Sequence, residues 1–186
     1  MPHELILGGQ RSGKSRCAET RAAAWLTQPG RSAVLLATAL AGDAEMRARI
    51  ARHQADRMQR VPALPSVEEP LDLAGALRRH SASSRLVVID CLTLWLTNLL
   101  MPLQGEALDD AGLASATAAL CEALRGAPEP VVLVSNEIGL GLTPLTSSAR
   151  RFVDELGRLH QLLARQCERV TLLVAGLELP VKRPAP

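Results

Sequence analysis

Aromatic residues are almost missing from this 186-residue chain: Trp25, Trp95 and Phe152 are the whole set, and there is no tyrosine. A surface that stacks nucleic-acid bases draws on several aromatic rings, so that class of partner is not expected. The formal net charge of +2 adds no case for it. Lysine is equally scarce. Of 21 basic residues only Lys14 and Lys182 are lysine, leaving 19 arginines, so the position of Lys14 stands out. No apolar run reaches the roughly 18 residues of a membrane span. Met1-Pro2-His3-Glu4 carries no basic segment ahead of an apolar run, so no secretory signal is expected. Cys17, Cys91, Cys121 and Cys167 lie far apart with no CxxC pair, which argues against a zinc site and for reduced, buried thiols. These absences together predict a cytoplasmic protein.

What is present is an ordinary globular mixture, 47% apolar and 22% charged, enough for one domain over residues 1–186. Five short apolar runs read as strands: Leu5–Leu7, Ala33–Ala37, Leu86–Ile89, Val131–Val134 and Val170–Ala175. They are continuous rather than alternating, as strands covered on both faces are. Helical stretches lie between them, at Lys14 to Thr27, Asp43 to Met58, Asp109 to Leu124 and Thr146 to Cys167. The last places Phe152, Leu156, Leu159 and Leu163 on one side. Alternating strands and helices predict an α/β fold with a mostly parallel central sheet flanked by helices. Val61–Pro70, with three prolines, is expected to be a loop, and Leu179–Pro186 a loose tail.

The strongest motif follows the first strand. Gly8-Gly9-Gln10-Arg11-Ser12-Gly13-Lys14-Ser15 matches GxxxxGKS/T in full, between a strand and a helix. Glycines let the backbone wrap a phosphate and aim its N–H groups inward, and the helix N-terminus adds partial positive charge. Lys14 is placed to reach the β- and γ-phosphates, and the Ser15 hydroxyl to hold Mg²⁺. A partner carboxylate is expected at the end of another buried strand, and Leu86-Val87-Val88-Ile89-Asp90 supplies one in Asp90.

On a helix over Asp43–Met58, Arg49, His53 and Arg57 fall at i, i+4 and i+8, with Arg60 a turn further on. Guanidinium groups around an imidazole favour its neutral, nucleophilic form, and arginines can neutralise phosphate charge in a transition state. From this segment alone a solvated basic face with an incidental histidine is the favoured reading. His3 is terminal, His80 belongs to the basic run Arg78-Arg79-His80, and His160 sits on the long amphipathic helix in a packed or surface role.

Several segments together resemble the bifunctional adenosylcobinamide kinase/adenosylcobinamide-phosphate guanylyltransferases of cobalamin assembly. The phosphate loop is similar to that family's GGxRSGKS. Asp43-Ala44-Glu45-Met46 through Arg49-Ile50-Ala51-Arg52-His53 is similar to its DxEM…RIxxH segment. Leu92–Leu100 resembles the piece after its acidic strand end, and Ser135-Asn136-Glu137-Ile138-Gly139-Leu140-Gly141-Leu142-Thr143-Pro144 its S/T-NEVGxGxxP signature. The likeness continues through Ala149–Phe152, Gly157-Arg158 and Val174–Gly176 to Lys182. It implies a RecA-like P-loop NTPase fold, trimeric assembly, and two reactions. An NTP, ATP or GTP, phosphorylates adenosylcobinamide. GTP then gives a GMP–histidine intermediate, by position on His53, and GMP passes to adenosylcobinamide phosphate. The resemblance also implies nucleotide contacts at Thr38, Ala39 and Leu40, at Gln54, Ala55, Asp56 and Arg57, and at Glu68, beside Asp90 and residues 8–15. The chain departs from the family's pattern in four places. Arg52-His53 stands for two adjacent histidines, and Asp90 for a glutamate. The loop before Glu68 and Glu69 is longer, and His160 replaces an asparagine. Two further readings fit the phosphate loop: a small-molecule kinase without guanylyl transfer, and a non-catalytic GTP-binding switch.

Overall fold

A computed structural model describes residues 2–183. The elements alternate along the chain: β1 (Glu4–Gly8), α1 (Lys14–Leu26), β2 (Ser32–Ala37), α2 (Ala44–Arg60), β3 (Ser66–Glu68), α3 (Leu73–His80), β4 (Arg85–Asp90), α4 (Leu92–Leu100), α5 (Asp110–Arg125), β5 (Val131–Val134), α6 (Ser147–Gln166), β6 (Arg169–Val174) and β7 (Leu177–Lys182). One seven-stranded sheet has the order β3-β2-β4-β5-β1-β6-β7. Every pairing is parallel except β6 with β7. The pleat divides the strand residues between two cores. Val87 and Ile89 of β4 join the cluster under α3–α6, while Leu86 and Val88 join the one under α1. That two-sided burial is why the strand runs are continuous rather than alternating.

Two expectations are corrected. Leu179–Lys182 is not a loose tail: it forms most of β7, which turns back on β6 at Ala175 and Gly176, both at positive φ. Pro180 is accommodated because β7 is an edge strand, and Pro184, Ala185 and Pro186 lie outside the described residues. The loop over Val61–Pro70 contains β3, which adds three residues to the edge of β2. Two helices went unassigned in the sequence. Helix α3 is only eight residues long and is capped by Asp72, whose side chain accepts from the Gly75 N–H at 2.9 Å. Helix α4 is apolar almost all round, with six of its nine residues buried, so it has no amphipathic stripe.

Trp95 of α4 sits in the larger core at 1% exposure, and its indole N–H donates to the Leu71 carbonyl at 2.9 Å. Trp95→Ala would leave both a cavity and an unpaired carbonyl. We expect a loss of about 3–5 kcal/mol, read as a lower midpoint in urea unfolding. An unchanged midpoint would contradict this packing. The buried carboxylate of Glu4, at the start of β1, is paired rather than stranded. Arg21 of α1 reaches it at 2.9 Å and the Thr171 hydroxyl of β6 at 2.7 Å, which fastens α1 and β6 to the strand that feeds the phosphate loop.

Candidate active site

The parallel strands end on one edge, where ligands of open α/β sheets bind. The phosphate loop leaves β1 there. Gly8 is required by space: a Cβ would lie 2.6 Å from both the Leu173 carbonyl oxygen and Ser12 Oγ. Gly13, at φ 102°, caps α1 in a conformation that L side chains resist. The β6–β7 turn braces the loop from outside, the Gly176 N–H donating to the Ser12 carbonyl at 3.1 Å. Lys14 is buried inside the loop, where Nζ donates to the Gly9 carbonyl at 2.6 Å. Burial lowers its pKa, with Asp90 among the groups opposing the shift.

Asp90 ends β4, two strands from β1, with β5 between them. Burial raises its pKa. Ser15, Arg57 and His53 act against that shift. Those two α2 residues share one face of the helix, as the i, i+4 spacing predicts, and both bear on this carboxylate. Arg57 is the buried member of the helix, and His53 is exposed beside it. Arg60 fixes the end of α2 to α1 by pairing with the buried Glu19 at 2.7 Å.

Ser15 and Asp90 offer two hard oxygen donors on the same sheet edge, and that suits Mg²⁺. Among the described residues no group of three or more His, Cys, Asp or Glu is placed to hold a metal by itself. The donor set therefore fits a cation that completes its coordination with nucleotide phosphates.

The other expected contacts divide. Thr38 is fully buried: its hydroxyl donates to the Cys91 carbonyl at 2.7 Å and accepts from the Cys91 N–H at 2.9 Å. It fastens β2 to the end of β4, so its side chain is already engaged. Ala39 and Leu40 follow it on the same edge. Glu68 is exposed at the end of β3, in register with Ala37, which is itself in register with Asp90. Glu69 is committed elsewhere, to the Asp72 N–H at 2.9 Å and to Arg79 at 3.0 Å, so Glu68 is the carboxylate available at this edge. Gln54, Ala55 and Asp56 are exposed on α2 and make no hydrogen bond to the phosphate loop.

One cluster was not assigned a role from the sequence. Ser135, just past β5, is fully buried, and its Oγ lies 2.8 Å from His160 Nε2 and 3.1 Å from Thr93 Oγ1. Thr93 Oγ1 accepts from the Asn136 N–H at 2.8 Å, and Asn98 of the same helix donates to the Thr38 carbonyl at 2.8 Å. The signal was a few polar residues set within apolar segments, which in a buried strand end or helix must find partners.

No helix among the described residues is long and apolar enough to cross a membrane. Similar folds occur in the flagellar accessory protein FlaH from Methanocaldococcus jannaschii and in a second solved structure, an ATPase domain. The first has a TM-score of 0.55 at 12% identity, covering 99% of this chain and 80% of that one. The second has a TM-score of 0.52 at 14% identity, covering 92% and 68%. At such identities the likeness is of the fold alone, and it agrees with the P-loop NTPase fold expected from the sequence. Sequence relatives are much nearer. The chain is 50% identical to the bifunctional adenosylcobalamin biosynthesis protein CobP of Pseudomonas aeruginosa, over 96% of each. It is 33% identical to the bifunctional adenosylcobalamin biosynthesis protein CobU of Escherichia coli, over 96% of this chain and 98% of that one. The family model for cobinamide kinase/cobinamide phosphate guanyltransferase matches residues 4–181. By this match and these relatives, the chain belongs to the cobinamide kinase/cobinamide phosphate guanyltransferase family.

Proposed function

We propose that this protein carries out both reactions in sequence, phosphorylating adenosylcobinamide with ATP or GTP and then transferring GMP from GTP to the product through His53. The observation that carries this reading is the meeting at one sheet edge of a complete phosphate loop, the Ser15–Asp90 pair, and a helix face bearing His53 and Arg57. A phosphate loop alone would serve a plain kinase. The histidine face next to its carboxylate is what a covalent guanylyl step adds.

Residues 8–15 bind the triphosphate through backbone N–H groups, and Lys14 neutralises charge on its outer phosphates. Ser15 and Asp90 would hold Mg²⁺, which would offset phosphate charge. In the kinase step the corrinoid hydroxyl oxygen attacks the γ-phosphorus and releases its proton to solvent, the bond to the bridging oxygen breaks, and the nucleoside diphosphate leaves. In the second step a ring nitrogen of His53 attacks the α-phosphorus of GTP. A P–N bond forms, the bond to the β-phosphate bridge breaks, pyrophosphate leaves with the electron pair, and the imidazole loses its proton. The phosphate oxygen of adenosylcobinamide phosphate then displaces histidine from phosphorus, giving adenosylcobinamide-GDP. Arg57 is placed to neutralise the charge that develops at the α-phosphate.

The leucines Leu140, Leu142 and Leu145, each more than 80% exposed in the segment that follows Glu137, give a large corrinoid an apolar surface that the few aromatics do not. The four cysteines are free and buried, which suits the cytoplasm. Trimeric assembly is part of the same proposal, on the family resemblance.

Chromatography of corrinoids after incubation with adenosylcobinamide, ATP, GTP and Mg²⁺ tests the whole reading. Two successive products are expected, the phosphate and then the GDP derivative, the second only with GTP present. Accumulation of the phosphate with no GDP derivative would reduce the protein to a kinase.

A further inference from the structure

His160 lies far along the sequence from the phosphate loop, yet its ring reaches the end of β5, the strand between β1 and β4. The imidazole is buried, with Nε2 2.8 Å from Ser135 Oγ and Nδ1 facing Glu137 Oε2 at 3.7 Å. The second distance is too long for a hydrogen bond but close enough for attraction between an N–H and a carboxylate. A bare Nδ1 lone pair pointed at that carboxylate would be repelled, so the proton belongs on Nδ1. Nε2 is then an acceptor and must receive the Ser135 hydroxyl hydrogen. Ser135 Oγ in turn accepts from the Thr93 hydroxyl, and Thr93 Oγ1 accepts from the Asn136 N–H at 2.8 Å. Each buried hydroxyl donates once and accepts once, so the whole set is satisfied in one direction only.

We propose that His160 is a positioning residue, the terminus of a one-way hydrogen-bond chain from Asn136 through Thr93 and Ser135 that locks the end of β5 against the phosphate loop. The lock reaches the loop directly. The Ser135 N–H donates to the Ile6 carbonyl at 3.0 Å and the Glu137 N–H to the Gly8 carbonyl at 2.9 Å. Glu137 Oε1 also accepts from the Gly139 N–H at 2.7 Å, closing the turn that follows. Three elements therefore meet at the Ser135 hydroxyl: α6 through His160, α4 through Thr93, and the end of β5 through Ser135 itself. Burial lowers the pKa of His160, with Glu137 opposing, in keeping with a neutral ring. The effect on phosphoryl transfer rests on the function proposed above, whereas the tautomer does not.

The test has two arms. In ¹⁵N NMR of the wild-type protein at pH 7, His160 should show a protonated Nδ1 and a bare Nε2. His3→Gln, His53→Gln and His80→Gln variants identify the remaining imidazoles. His3 is the internal contrast, because its Nδ1 accepts from the Val131 N–H at 3.0 Å and its proton must lie on Nε2. In the kinetic arm, His160→Gln and Ser135→Ala should each lower kcat for phosphoryl transfer roughly tenfold, as loss of a supporting hydrogen bond does. KM for the nucleotide should change by less than about twofold, since both side chains are buried and engaged with each other. An Nε2–H tautomer or an imidazolium at pH 7 would overturn the chain. Wild-type kcat in both variants would overturn the positioning role. If the wild-type protein has no kinase activity, the functional reading fails while the NMR result still decides the direction of the chain.

Discussion

Lys14→Ala should abolish both phosphoryl and guanylyl transfer, with losses of about 10²–10³-fold or more in each kcat. In the proposed mechanism both reactions take a triphosphate from the same loop, and Lys14 is the one ammonium inside it. Its Nζ is held at the Gly9 carbonyl by a buried stem, so no other residue can take its place. Arg11 within the loop and Arg16 just after it are both exposed, whereas Lys14 is buried. The fold should survive, because the β1–α1 connection is held by Gly8, Gly13 and the Ser12–Gly176 hydrogen bond rather than by the ammonium. Steady-state kinetics of each half-reaction decide the matter. Full kinase activity in the variant would place the phosphoryl donor outside the loop.

His53→Ala should separate the two reactions. Formation of adenosylcobinamide-GDP should fall at least about 10⁴-fold, as for removal of a covalent nucleophile, while phosphorylation of adenosylcobinamide continues within a few-fold of wild type. The side chain is exposed on α2 and supports no packing. The helix is held instead by the Asp43 cap, where the carboxylate accepts from the Met46 N–H at 2.7 Å, and by the Arg60–Glu19 pair. A variant that fails in both reactions, while folded, would mean that His53 also serves the kinase step. Arg57→Ala should behave differently, weakening both, since it is buried beside Asp90.

The phosphate loop, Asp90, the five central strands and the four long helices were legible in the sequence because each depends on local pattern. The loop motif needs its own eight residues, and the strands and helices need only their hydrophobic periods. The edge strands β3 and β7 were not legible. Their pairing partners lie in β2 and β6, and prolines nearby mimic a loop. Helix α4 escaped notice because burial on all sides erases the amphipathic signal. In the site, the shared helix face of His53 and Arg57 follows from helical spacing, but their approach to Asp90 and the engagement of Glu69 do not. Glu69 is engaged by Arg79 and the Asp72 N–H, contacts that close only when α3 packs. The same holds for Thr38, whose hydroxyl is taken by the backbone of Cys91, and for His160, which meets Ser135 across 25 residues of chain. Long-range hydrogen bonds of buried polar groups leave no periodic trace. Their only mark is a polar residue where the pattern asks for an apolar one.

The central claim is a covalent GMP–histidine intermediate on α2. Its most direct test is intact-protein mass spectrometry after incubation with GTP and Mg²⁺, wild type beside His53→Ala. A mass gain of one GMP unit in the wild type alone, lost in acid and stable in base as a phosphoramidate is, is the predicted result; a gain in both proteins, or in neither, would contradict it.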